Sequence, residues 1–144
     1  MTSFQTLFDL LGELARRRYQ AADRSFSTLG LNHTEARLLT LLRQAGGNAA
    51  QDALSNLLFV DRTNAGRALQ RLEQGGYILR RKSDTDKRAN LVQMTEKGRK
   101  TVTQIARLKE QLAASFFGDL DERDADEIVR LLRKVVSSND PLPR

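Results

Sequence analysis

The sequence has no cysteine. That absence excludes disulfides, thiolate metal sites, a cysteine nucleophile and thiol-based redox sensing together. A single histidine, His33, leaves no imidazole cluster for zinc. Only two prolines occur, Pro141 and Pro143, both in the last four residues, so nothing interrupts a helical pattern before them. No run approaches the ~18 consecutive apolar residues of a spanning helix, which argues against a membrane partner. In the opening MTSFQTLFDLLGELARRR the basic run follows the apolar part, the reverse of a secretory signal, so a cytoplasmic protein is expected. No nucleophile–base pair, phosphate-cradling glycine loop or metal-ligand spacing is visible, so no enzyme, metal or cofactor is expected.

What the chain does have is basic charge in one place. Its 144 residues carry a net charge of +6. Residues 61–100 hold eleven Lys/Arg against five Asp/Glu, while the segments 1–60 and 101–144 are nearly balanced. A local basic excess fits a polyanion partner; it also fits a solvated charged face.

Apolar residues at three-to-four spacing predict a long helix over 3–29, capped by Thr2 or Ser3 and ended by Gly30. A second helix opens at Asn32 or Thr34 and stops at Gly46-Gly47. A third covers about 50–59, and a fourth runs from an Asp61 cap to Gln74 before Gly75-Gly76. The period then shortens. Tyr77-Ile78-Leu79 and Leu91-Val92-Gln93-Met94 flank a basic, turn-rich segment and read as a β-hairpin. A fifth helix starts at Thr95-Glu96-Lys97 and ends at Gly118; Asp121 caps a sixth. The order predicts a mainly α protein with a small β-hairpin: a winged helix-turn-helix over 32–100, turning around Phe59-Val60, flanked by long amphipathic helices over 1–31 and 101–144. The flanking apolar faces lack a covering layer in one chain. Phe4, Leu7, Phe8 and Leu11, then Leu112, Phe116, Ile128, Leu132 and Val135, are therefore expected to meet a second copy.

In the fourth helix Ala65, Ala68, Leu69 and Leu72 share one face. Arg62, Thr63, Asn64, Arg67, Gln70 and Arg71 supply groups that reach phosphates and base edges, and arginine paired with guanine is the commonest specific contact. Gly66 either admits a partner backbone or is merely tolerated. The hairpin adds Arg80, Arg81, Lys82, Lys87 and Arg88. Arginine suits a narrow minor groove, and Asp86, two residues before Arg88, is placed to hold its side chain. The acids Asp119, Asp121, Glu122, Asp124 and Asp126 have a helix-dipole reason to cluster at a helix start.

Three segments carry a resemblance. Leu54-Ser55-x-x-Leu58-x-Val60-Asp61, Leu72-Glu73-x-x-Gly76-Tyr77-Ile78-x-Arg80, and Asp86-Lys87-Arg88 followed by Val92-x-Met94-Thr95-x-x-Gly98 stand in order and at the spacing of the MarR family of bacterial transcriptional regulators. Ser55, Ala65 and Met94 are the departures from the family pattern. The resemblance implies a homodimer whose two winged helices read a pseudo-palindromic operator in double-stranded DNA, acting as a repressor. It also implies an effector in some members, a small aromatic or anionic ligand bound between the dimerisation and DNA-binding parts. Arg16, Arg17 and His33 are the candidates for such a site, against the simpler reading of a solvated basic run and a surface or capping histidine. The rival function is a winged helix that docks on protein and binds no DNA.

Overall fold

The computed structural model describes residues 1–58 and 62–138. The turn at Phe59-Val60 and the Asp61 cap lie outside the described residues, as do Pro141 and Pro143. The chain divides into two compact units, Met1–Leu112 and Ala113–Arg144. In chain order the elements are α1 (Ser3–Ser27), α2 (His33–Gln44), β1 (Asn48–Ala50), α3 (Gln51–Leu58), α4 (Arg62–Gln74), β2 (Ile78–Lys82), β3 (Asn90–Met94), α5 (Glu96–Phe116) and α6 (Glu122–Ser138).

Local chemistry sets the helix starts. At α1, Thr2 Oγ1 accepts the Gln5 amide at 3.2 Å and Gln5 Oε1 accepts the Thr2 amide at 2.7 Å. Asn32 and Glu35 exchange the same pair of bonds at 2.8 and 2.9 Å before α2. Asp121 and Asp124 do so before α6, at 2.8 and 3.2 Å. Each box satisfies amides that a helix start leaves without a partner. Asp121 and Asp124 thus cap α6, and no cluster of metal-binding side chains occurs among the described residues.

The core of the first unit joins α2, α3 and α4 to the sheet. Leu38, Leu39, Leu42, Leu54, Leu69, Leu72, Ile78 and Val92 are fully buried. On α4 the buried positions are Ala65, Ala68, Leu69 and Leu72, one stripe at i, i+3, i+4 and i+7. Each buried leucine stabilises the fold by roughly 1.5–3 kcal/mol. Ala22 and Phe26 attach the C-terminal half of α1 to this core, and Val102 and Ile105 attach the start of α5.

The sheet has three antiparallel strands in the order β1-β3-β2, one more than the expected hairpin. Ala49 stands opposite Val92, and Arg80 opposite Val92 on the other side. This is a winged helix-turn-helix with a third, edge strand. Nothing in Asn48-Ala49-Ala50 favours a strand by itself; pairing with β3 makes it one.

In the second unit no residue of α6 is buried, and Phe116 meets Phe117 edge to face at 5.0 Å.

Candidate nucleic-acid interface

The apolar stripe of α4 fixes what its opposite face shows. Thr63, Asn64, Arg67, Gln70 and Arg71 are exposed. Arg62 opens the helix, and its side chain falls outside what the structure describes. A Cβ built on Gly66 meets nothing within 4 Å, so packing inside the chain does not require glycine there.

From α4 the chain passes to the wing through Gly75-Gly76. Gly76 has φ 78°, which glycine adopts without the penalty of a side chain, and Tyr77 N–H closes the helix on Leu72 O at 2.9 Å. The start of α5 grips this turn. Thr95 Oγ1 donates to Gly76 O at 2.6 Å, and Lys97 Nζ donates to Gly75 O at 2.7 Å. The Lys97 ammonium also lies 4.5 Å from the centre of the Tyr77 ring. None of these three contacts is legible in the sequence beyond the Thr95-x-x-Gly98 pattern.

The basic residues of the wing separate into two kinds. Arg81, Lys82, Lys87 and Arg88 are exposed, and none forms an ion pair among the described residues. The same holds for Arg67 and Arg71. Arg80 differs: its Nη2 and Nε donate to Glu73 Oε1 at 3.0 and 3.3 Å. The tip is set by side chains that replace backbone partners. Ser83 Oγ accepts the amides of Thr85 and Asp86 at 3.3 Å each, and Asp86 Oδ1 accepts the Arg88 amide at 3.0 Å. Asp86 therefore holds the backbone of Arg88 and not its guanidinium, a correction to the expected side-chain pair.

The residues expected to meet a second copy are largely uncovered. Phe4 and Phe8 are 85% and 80% exposed. Leu7, Leu11, Ile128 and Val135 are exposed as well. Leu112 is partly covered by the core of its own unit, and Phe116 and Leu132 are half-buried.

The weak ligand candidates do not converge. Arg17 pairs with Glu13 on the surface of α1, and Arg16 is exposed. His33 is neither a surface residue nor a cap. Its ring sits 4.7 Å from Tyr19 and 6.3 Å from Phe26, tying α2 to α1, and its backbone amide donates to Asp23 Oδ1 at 3.0 Å. Burial, then the Arg18 and Arg37 guanidinium groups, hold the ring below its ordinary value of 6.5, while Asp23 pulls the other way. An open cleft of about 660 Å³ lies between α1, α2 and the end of α4, with Asp23, Glu35, Arg71 and Tyr77 in its walls; Arg16, Arg17 and His33 do not line it.

Residues 31–89 match the MarR family. Transcriptional repressor MprA of Escherichia coli strain K12 is 32% identical over 114 residues, which cover 78% of this chain and 65% of that protein. The chain thus spans just under two thirds of that relative's length. The HTH-type transcriptional regulator YkoM of Bacillus subtilis is 30% identical over 105 residues, 73% of this chain and 68% of its own. Mutant MarR from E. coli complexed with operator DNA superposes with a TM-score of 0.79 at 24% identity, over 96% of this chain and 94% of that one, and shows the same fold. On the matched residues 31–89 and the identity to YkoM, the chain belongs to the MarR family.

Proposed function

We propose that this protein is a homodimeric transcriptional regulator, a repressor, that binds a pseudo-palindromic operator in double-stranded DNA in the cytoplasm. The observation that carries the reading is the division of charge along α4 and the wing. The inner face of α4 is buried aliphatic, while Arg67 and Arg71 on its outer face and Arg81, Lys82, Lys87 and Arg88 on the wing have no carboxylate partner among the described residues. Clustered, uncompensated cations repel one another until a polyanion arrives. The helix presents donors for base edges in the major groove, and the wing tip extends a second set toward the flanking minor groove.

Residues 32–100 form the reading part in this account. Residues 1–31 and 101–144 supply the dimer contacts. The support is that α1 leaves Phe4 and Phe8 to solvent and α6 has no buried residue, and large uncovered apolar faces mark association surfaces. Release by a small aromatic or anionic ligand, the behaviour of some members of the family, is part of this proposal.

Arg67→Ala tests the reading. Measured on an operator selected from random duplexes, the variant loses ~1–3 kcal/mol of discrimination at each half-site, with a smaller loss on random DNA. Equal losses on both would confine Arg67 to phosphate contact. A wild-type protein without salt-sensitive DNA binding would overturn the reading in favour of a protein-docking module.

A further inference from the structure

Arg80 stands apart from the other cations of the wing. By register it faces the same side of the sheet as the buried Ile78, Val92 and Met94. That side packs toward α4, and Arg80 meets Glu73 in the last turn of that helix. Both side chains are partly withdrawn from water, 24% and 38% exposed. Between them lies the Gly75-Gly76 turn. Two glycines in succession leave a junction with wide backbone freedom. Thr95 and Lys97 secure the turn's carbonyls to α5. The Glu73–Arg80 pair is the ion pair, among the described residues, that ties α4 directly to β2.

We infer that Glu73 and Arg80 are positioning residues: their ion pair fixes the angle between α4 and the β2–β3 wing, so that both engage one duplex together. The inference rests on the DNA-binding reading above. It departs from the sequence-level expectation that Arg80 is one more DNA contact. An arginine whose Nε and Nη2 both point at Glu73 Oε1 has two of its donors committed before DNA arrives. Fixing the angle in advance lowers the ordering cost of binding. Random DNA, held by phosphates and tolerant of small tilts, gains less from that than an operator read by base edges does.

Glu73→Ala, which removes the acceptor as well as the charge, separates the two roles, because they give opposite signs. If Glu73 is a bystander, its removal frees Arg80 and adds net positive charge. DNA binding then tightens and its salt dependence steepens. If the pair positions the wing, operator binding weakens despite the added charge. A half-exposed pair sets the scale at about fivefold per half-site, on the order of twentyfold for a dimer on a full site. Random-duplex binding changes little, so the operator-to-random ratio falls. The swapped pair, Glu73→Arg with Arg80→Glu, keeps the net charge and restores part of that ratio. Thermal midpoints are recorded for every variant, so that a ratio change in folded protein is read apart from unfolding. Equal or tighter operator binding by Glu73→Ala, or a swap no better than Glu73→Ala, overturns the inference while the DNA-binding reading stands. A wild-type protein that binds no duplex overturns that reading, and the inference with it.

Discussion

The carboxylate of Asp86 accepts the backbone amide of Arg88 at 3.0 Å. It acts on the wing tip through the main chain, closing a local turn of the kind aspartate forms two residues along. Asparagine offers the same carbonyl acceptor without the charge; alanine offers neither. Simple electrostatics predicts that Asp86→Ala and Asp86→Asn both bind DNA more tightly. The turn predicts that Asp86→Ala binds more weakly and that Asp86→Asn does not. A filter-binding titration of the two variants decides this, and tighter binding by Asp86→Ala removes Asp86 from any positioning role. Arg88→Ala, for its part, lowers the salt slope by about one and loses any preference for A·T-rich flanks.

Gly98 and Gly66 predict opposite effects of one substitution. A Cβ on Gly98 would lie 2.3 Å from Tyr77 O and 2.8 Å from Met94 Cγ. That carbonyl also accepts the Thr95 amide at 3.1 Å, so it is not free to retreat. Gly98→Ala therefore destabilises the protein by ~1–3 kcal/mol. Gly66→Ala meets open space and stabilises α4 by up to about 1 kcal/mol. Chemical denaturation measures both. If Gly66→Ala also weakens operator binding, the α4 backbone approaches a partner at that point; unchanged binding leaves Gly66 as a tolerated residue.

His33 gives the first unit a sign for its response to acid. Its Nδ1 is buried without a hydrogen-bond partner, and Arg18 and Arg37 oppose a proton on the ring. The folded state thus holds the proton less well than the unfolded chain. The resulting stability is present above 6.5, the ordinary value, and is lost as pH falls below it toward the folded value. Thermal midpoints at about pH 7.5 and about pH 5.5 bracket the window in which histidine charges. The wild type drops more than His33→Gln between them. Equal drops contradict this role of His33.

The proposed dimer contacts predict the fate of Leu132→Asp. Burying an unpaired carboxylate against a second copy costs several kcal/mol. The variant sediments as a monomer or unfolds, while the wild type stays dimeric at about micromolar concentration. A folded wild-type monomer under those conditions contradicts the assignment of α1 and α6 to an interface.

The parts of this structure legible in the sequence are those whose causes are local. Thr2, Asn32 and Asp121 cap the helices they precede, because a cap needs partners only two or three residues away. The stripe Ala65, Ala68, Leu69 and Leu72 orients α4 by periodicity alone. The strand Asn48–Ala50 was not legible, since its cause is Val92 across the sheet. Arg80, Arg81 and Lys82 read as three equivalent cations, and only the packing of β2 on α4 brings Arg80 to Glu73. For Asp86 and Arg88 the spacing pointed to the right pair and the wrong atom of Arg88. His33 looked like a surface residue because its neighbours Tyr19 and Phe26 come from another helix.

The most direct test of the central claim is selection of bound duplexes from a random pool by the wild-type protein. An operator-reading dimer enriches one pseudo-palindromic sequence, its half-sites about one helical turn (10–10.5 bp) apart, with an affinity that falls steeply as salt rises. A pool that stays random, or binding that is indifferent to salt, would contradict it.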